Sequence, residues 1–215
     1  HNICVAPDGV DTKRCLSTIT QSEARKQLGI PLGKKIICYT GHLFVWKGVY
    51  VLAESTRHLS EDCCVYIVGG TGSDILALKN FVSEQRLRHI EITGYVPYSQ
   101  VPVFLAASDV LVLPNSASAR ISKEYTSPLK LFEYMGAHRP IVASDLPAIR
   151  EVLRHRENAL LVPPDDPKSL ADGIRTIVTD SQLAHQLAET AFADVQAYSW
   201  DARAEKVAQF FSIRA

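Results

Sequence analysis

Short apolar runs alternate along the chain with longer stretches in which apolar positions recur every three or four residues. The short runs fall at 35–40, 63–68, 91–93, 109–113, 140–144 and 159–162. Most are rich in Val, Ile and Leu and do not alternate with polar residues, as expected of parallel strands covered on both faces. The 3.6-residue pattern predicts helices over 47–58, 73–87, 99–107, 128–138 and 146–154. Strand and helix in turn mean βαβ units with right-handed crossovers. The expected fold is therefore α/β: a Rossmann-like, doubly wound parallel sheet of about six strands. After the last strand, Pro163-Pro164-Asp165-Asp166-Pro167 breaks the pattern. Helices are predicted beyond it at 167–179, 181–196 and 201–212, with Asp166 as a cap and Pro167 in the first helical turn. A short helix is expected at 20–28. The chain divides into a lead-in segment, 1–33, and one domain, 34–215.

Composition narrows the class. Of 215 residues, 47% are hydrophobic and 21% charged, a balance that supports a packed core and argues against disorder. Lys plus Arg and Asp plus Glu number 23 each, so the formal charge is zero and no nucleic-acid partner is expected. No apolar stretch approaches the roughly 18 residues of a membrane span. The amino terminus has no basic region leading into a long apolar core, so no secretory signal is expected. The cysteines, Cys4, Cys15, Cys38, Cys63 and Cys64, form no Cys-x-x-Cys pair and read as reduced thiols, which fits a cytoplasmic protein. No histidine shares a metal-ligand spacing with another His or Cys, so no metal is expected.

Candidate chemistry clusters where strands end. In Ser127-Pro128-Leu129-Lys130-Leu131-Phe132-Glu133-Tyr134-Met135, Ser127 is a good N-cap and Pro128 suits the first turn. Leu129, Leu131, Phe132 and Met135 are assigned to the buried arc, and Lys130, Glu133 and Tyr134 to the other side. A helix opening at the carboxyl edge of a parallel sheet presents free amides and a positive dipole to an anion. Glu133 follows Pro128 by about 7.5 Å of axis, a plausible phosphate-to-ribose span. The competing reading is a solvated Lys130–Glu133 pair worth a few tenths of a kcal/mol. Gly41 and His42 follow the first strand, and Lys47 precedes Gly48 at the next helix; a glycine there admits a ligand and a lysine can neutralise phosphate, though on its own this segment is better explained by a turn glycine and a solvated lysine. Gly69 and Gly70 end the second strand, without the register of a dinucleotide or P-loop fingerprint.

In this order, Gly41-His42-Leu43 with Trp46-Lys47-Gly48, Val68-Gly69-Gly70, Thr93-Gly94-Tyr95-Val96-Pro97, the run 107–114, the Ser127–Met135 segment, 141–151 and 158–163 resemble the C-terminal domain of retaining GT-B glycosyltransferases of family 4, or group 1. Pro7-Asp8-Gly9-Val10-Asp11 resembles that family's interdomain linker. The resemblance implies the donor-binding half of a hexosyltransferase-type enzyme, with a UDP- or GDP-sugar as donor, no cofactor or metal, and an N-terminal acceptor domain as the missing partner; this half alone would be inactive. It leaves a peripheral membrane contact of the full-length protein open. Carried over by position, Lys47 and Glu133 are the catalytic candidates, Lys47 on the diphosphate and Glu133 on the ribose. Gly41, His42, Gly69, Gly70, Tyr125, Ser127, Pro128, Leu129 and Lys130 join them in donor binding, and the backbone at Tyr95 and Val96 faces the base. Two positions depart from the family. Tyr125 stands where its first glutamate is expected, with Glu124 one position off, and His42 replaces a frequent arginine. A sugar-nucleotide epimerase and a non-catalytic nucleotide-binding module remain as alternatives.

Overall fold

The computed structural model describes Cys4, residues 6–12 and residues 19–212. Cys15, and with it part of the lead-in segment, lies outside the described residues. The six strands are β1 (Lys35–Thr40), β2 (Cys63–Val68), β3 (Ile90–Gly94), β4 (Val110–Leu113), β5 (Ile141–Ser144) and β6 (Leu160–Val162), close to the predicted runs. They form one parallel sheet in the order β3-β2-β1-β4-β5-β6. The winding reverses between β1 and β4, and in such sheets the crevice outside the carboxyl ends at that point is where ligands bind.

The helices are α1 (Gln21–Leu28), α2 (Val49–Ser55), α3 (Gly72–Glu84), α4 (Val101–Ala107), α5 (Leu129–Gly136), α6 (Pro147–Arg150), α7 (Pro167–Thr179), α8 (Ser181–Asp194) and α9 (Trp200–Ser212). They cover both faces of the sheet. Leu111, Leu113, Ile141 and Ala143 point to a layer holding α4, α5 and α6. Ile37, Tyr39, Val65, Ile67, Val112 and Val142 point to the opposite layer, with α2, α3 and α7. This double covering is why the strand runs are uninterruptedly apolar. Burial of Leu, Ile and Val at ~1.5–3 kcal/mol each supplies most of the stabilisation.

Some boundaries differ from expectation for identifiable reasons. The helix expected over 47–58 is broken: a 3₁₀ turn at Val45–Lys47 ends at Gly48, whose φ of 74° lies in the left-handed region, and α2 starts only afterwards. The helix predicted over 146–154 is a single turn, α6. In α5 the expected cap is corrected. Pro128 itself occupies the N-cap position, with ψ at 116°, and no side chain caps the helix. The Ser127 hydroxyl accepts instead from the Asp8 N–H at 3.3 Å. The buried arc of α5 is also rotated from expectation. Leu129 is half exposed, whereas Tyr134 is fully buried because its hydroxyl accepts from the Thr40 N–H at 2.7 Å. Asp166 does cap α7, accepting from Lys168 N–H and Ser169 N–H at 3.0 and 3.1 Å.

The lead-in segment is tied to the domain. Val10 is buried and donates its N–H to the Tyr198 carbonyl, and Asp8 pairs with Arg203 of α9 at 2.6 Å. The buried Arg25 of α1 reaches Asp109 at the start of β4, and the same carboxylate accepts from the Ile36 N–H. No helix among the described residues is long and apolar enough to cross a membrane.

Candidate functional site

The site begins where β1 runs out. Tyr39 donates its hydroxyl to the His42 carbonyl at 2.5 Å, which curls the chain back over the strand end. Gly41 sits in this bend at a φ of 119°, and a Cβ there would lie 2.7 Å from the Lys130 Nζ. The position therefore needs glycine for its backbone, and the lysine tip fills the space beside it.

Lys47 is delivered by the 3₁₀ turn. The Trp46 carbonyl accepts from the Ser116 N–H at 3.0 Å and from the Ser122 hydroxyl at 3.3 Å, which fastens the turn to the loop after β4. Gly48 is packed so closely that a Cβ would fall 1.7 Å from the Pro114 carbonyl oxygen. The Lys47 ammonium lies 4.0 Å from the centroid of the Trp46 ring, a cation–π contact, and partial burial lowers its pKa.

The amino end of α5 faces the same space. It carries Lys130 and, one turn on, Glu133 (i, i+3), whose Oε1 accepts from the Tyr98 hydroxyl at 2.9 Å. The amine of Lys130 is buried, has no hydrogen-bond partner, and lies 3.7 Å from the centroid of the Tyr39 ring. Burial, then the neighbouring Lys47, hold its pKa well below the ordinary lysine value. Lys130 and Glu133 therefore turn to different surroundings and do not form the solvated pair that spacing allowed.

These elements enclose a two-lobed crevice. The larger lobe, about 450 Å³, is lined by His42, Lys47, Ser127, Pro128, Leu129, Lys130 and Glu133 among others. The smaller, about 270 Å³, is lined by Gly69, Gly70, Tyr95 and Val96. Thr40, Gly41, His42, Tyr98 and Val101 border both. Sequence reasoning missed Tyr98, which orients Glu133, and Asp8, which reaches the larger lobe from the lead-in segment. Neither carries a local signal: both arrive from other parts of the chain. Tyr125 is the predicted residue that the fold does not bring in. It ends a π-turn, Ile121–Tyr125, stands 65% exposed, and accepts from the Arg120 guanidinium at 2.7 Å. Glu124 is held by the same arginine at 2.9 Å. Neither side chain lines the crevice. Among the described residues no group of three or more His, Cys, Asp or Glu is arranged to hold a metal ion.

Known proteins resemble this chain in sequence and fold. The teichuronic acid biosynthesis glycosyltransferase TuaC of Bacillus subtilis is 26% identical over 90% of this chain. Among solved structures, sucrose-phosphate synthase of Thermosynechococcus elongatus superposes with a TM-score of 0.84 over 97% of the chain at 25% identity. The HepE protein of Anabaena, crystallised with UDP and glucose, superposes with a TM-score of 0.81 over 95% at 20% identity. The chain spans about half the length of these proteins: 46%, 52% and 55% in the same order. Their common fold is the Rossmann-like half of a GT-B glycosyltransferase. The model of the family Glycosyl transferases group 1 matches residues 20–194, and the chain belongs to that family.

Proposed function

We propose that the chain is the donor-binding half of a retaining glycosyltransferase, which seats a nucleoside diphosphate sugar across the two lobes of the crevice. The observation that carries this reading is the convergence of Lys47, the open end of α5 and the Tyr98-oriented Glu133 on one 450 Å³ lobe at the switch point of the sheet. Lys47 and the amides at the helix start stabilise the diphosphate, whose departure leaves an oxocarbenium-like sugar in the transition state. Glu133 accepts from the ribose hydroxyls, and the smaller lobe takes the base. The UDP held by the HepE protein, a relative in fold, favours a uridine donor over a guanosine one. The neutralising groups are lysines and backbone dipoles, so chelators are expected to leave donor binding unchanged. Cys4, Cys38, Cys63 and Cys64 are free thiols, which suits the reducing cytoplasm. The acceptor is bound by the half of the protein that lies outside this chain, so this chain alone binds donor without transferring sugar.

Titration calorimetry with UDP, GDP and their sugars tests the reading. Binding of one of these nucleotides, weakened at least tenfold (~1.4 kcal/mol) in Glu133→Ala, is expected. Affinity unchanged by that substitution would put the ribose elsewhere.

A second reading has one observation behind it. With Tyr125 turned outward and Glu124 paired to Arg120, no carboxylate stands in the first-glutamate position of the crevice. A non-catalytic nucleotide-binding module would look the same. Sugar transfer by the full-length protein would exclude it.

A further inference from the structure

Lys130 is hard to explain as structure. Its amine is buried beside Gly41, over the face of Tyr39, with no hydrogen-bond partner. A buried cation is ordinarily paired, because removing it from water is costly and only a partner offsets the cost. Here no neighbouring group hydrogen-bonds it, although the Glu133 carboxylate lies near enough to favour the charged form. Lys47 is a like charge across the lobe. On β1, Cys38 and Tyr39 are themselves protonated, Cys38 pushed up to about 12 by burial. Glu133 is engaged by Tyr98. His42 and Asp8 border the lobe, and Asp8 is paired with Arg203. The amine occupies the space beside Gly41, whose φ of 119° itself calls for glycine. A partner that comes and goes would account for all of this, and Lys130 is among the residues lining the lobe assigned to a diphosphate.

We propose that the Lys130 side chain is the second cation of the diphosphate seat, gripping the anion from the floor of the lobe while Lys47 grips it from the wall. The inference rests on the donor reading above and adds to it a side-chain role where only backbone amides at the helix start were assigned. Two lysines facing each other without an anion repel, and burial favours the neutral amine in the empty site. Arrival of a diphosphate reverses that preference. Lys130 then takes one proton from solvent and donates its N–H groups to phosphate oxygens, so donor binding is coupled to proton uptake. Release of the nucleotide returns the proton.

The test is titration calorimetry on this chain, the wild type against Lys130→Met and Lys130→Gln. The probes are UDP and GDP with the matching nucleosides, each measured near pH 8 in two buffers of different ionisation enthalpy. The expected result has two parts. Both variants bind the diphosphate about tenfold or more weakly while nucleoside affinity changes by less than about twofold. The wild type takes up more protons on binding than the variants do. Equal losses for diphosphate and nucleoside, no loss for either, or proton uptake that survives the substitution would each overturn the proposal. So would failure of both variants to fold, since that would make Lys130 a structural residue. If the wild type binds no nucleotide at all, the donor reading fails first and this inference with it. Normal wild-type binding with unchanged variants sinks the inference alone.

Discussion

Tyr98 meets Glu133 through a single hydroxyl hydrogen bond, and that bond carries a graded prediction. Tyr98→Phe removes the donor but not the ring, so nucleotide affinity should fall less than in Glu133→Ala, by ~0.5–1.5 kcal/mol, as read by calorimetry. Lys130 carries another. Burial holds its pKa well below the ordinary lysine value, so between the folded and the ordinary value the unfolded chain holds a proton that the empty fold does not. Stability of the empty protein must therefore rise with pH through that window, by at most ~1.4 kcal/mol per pH unit for one proton, and fall as pH drops toward the folded value. Below it both states are charged and the slope vanishes. Urea unfolding across pH 7 to 10 should show the wild-type slope reduced in Lys130→Met; identical slopes would mean the amine is not buried. Neither Tyr98 nor Lys130 announced its role. Periodicity puts Lys130 on the outer side of α5, where lysines are ordinarily solvated, and nothing local to Glu133 points to a tyrosine 35 residues earlier in the chain. The glycine at position 41 was visible, but its neighbour was not.

At the scale of elements, the turn that delivers Lys47 depends on a close approach. Gly48 lies against the Pro114 carbonyl in a left-handed conformation, so Gly48→Ala combines backbone strain with a clash. A loss of ~2 kcal/mol or more in urea unfolding is expected, together with weaker diphosphate binding as Lys47 shifts. A neutral outcome would mean that the turn is not built on this contact. The strands were legible because both faces of the sheet are covered, which leaves no polar alternation to confuse the pattern. The helix boundaries were less so, since each failure involves a residue whose partner is distant. Tyr134 is drawn inward by the Thr40 amide, Ser127 is taken by Asp8, and the run after Lys47 is interrupted by the demands of Pro114. The π-turn that carries Tyr125 away from the crevice has no counterpart in residue spacing.

The whole molecule is a Rossmann-like α/β domain that spans about half the length of its group 1 glycosyltransferase relatives. Order and spacing of several weak motifs made that architecture readable where no single motif would have, because the sheet brings successive strand exits to one edge. What lay beyond reach was the convergence itself: which side chains at that edge face one cavity. The central claim is that the larger lobe seats a pyrophosphoryl group on Lys47 and the start of α5, with the ribose on Glu133. The most direct measurement is a crystal structure of this chain with a bound nucleoside diphosphate. The account predicts phosphate oxygens within hydrogen-bond distance of Lys47 Nζ and the α5 amides, and ribose hydroxyls on the Glu133 carboxylate. A nucleotide bound elsewhere, or bound in this crevice with its ribose away from Glu133, would contradict it.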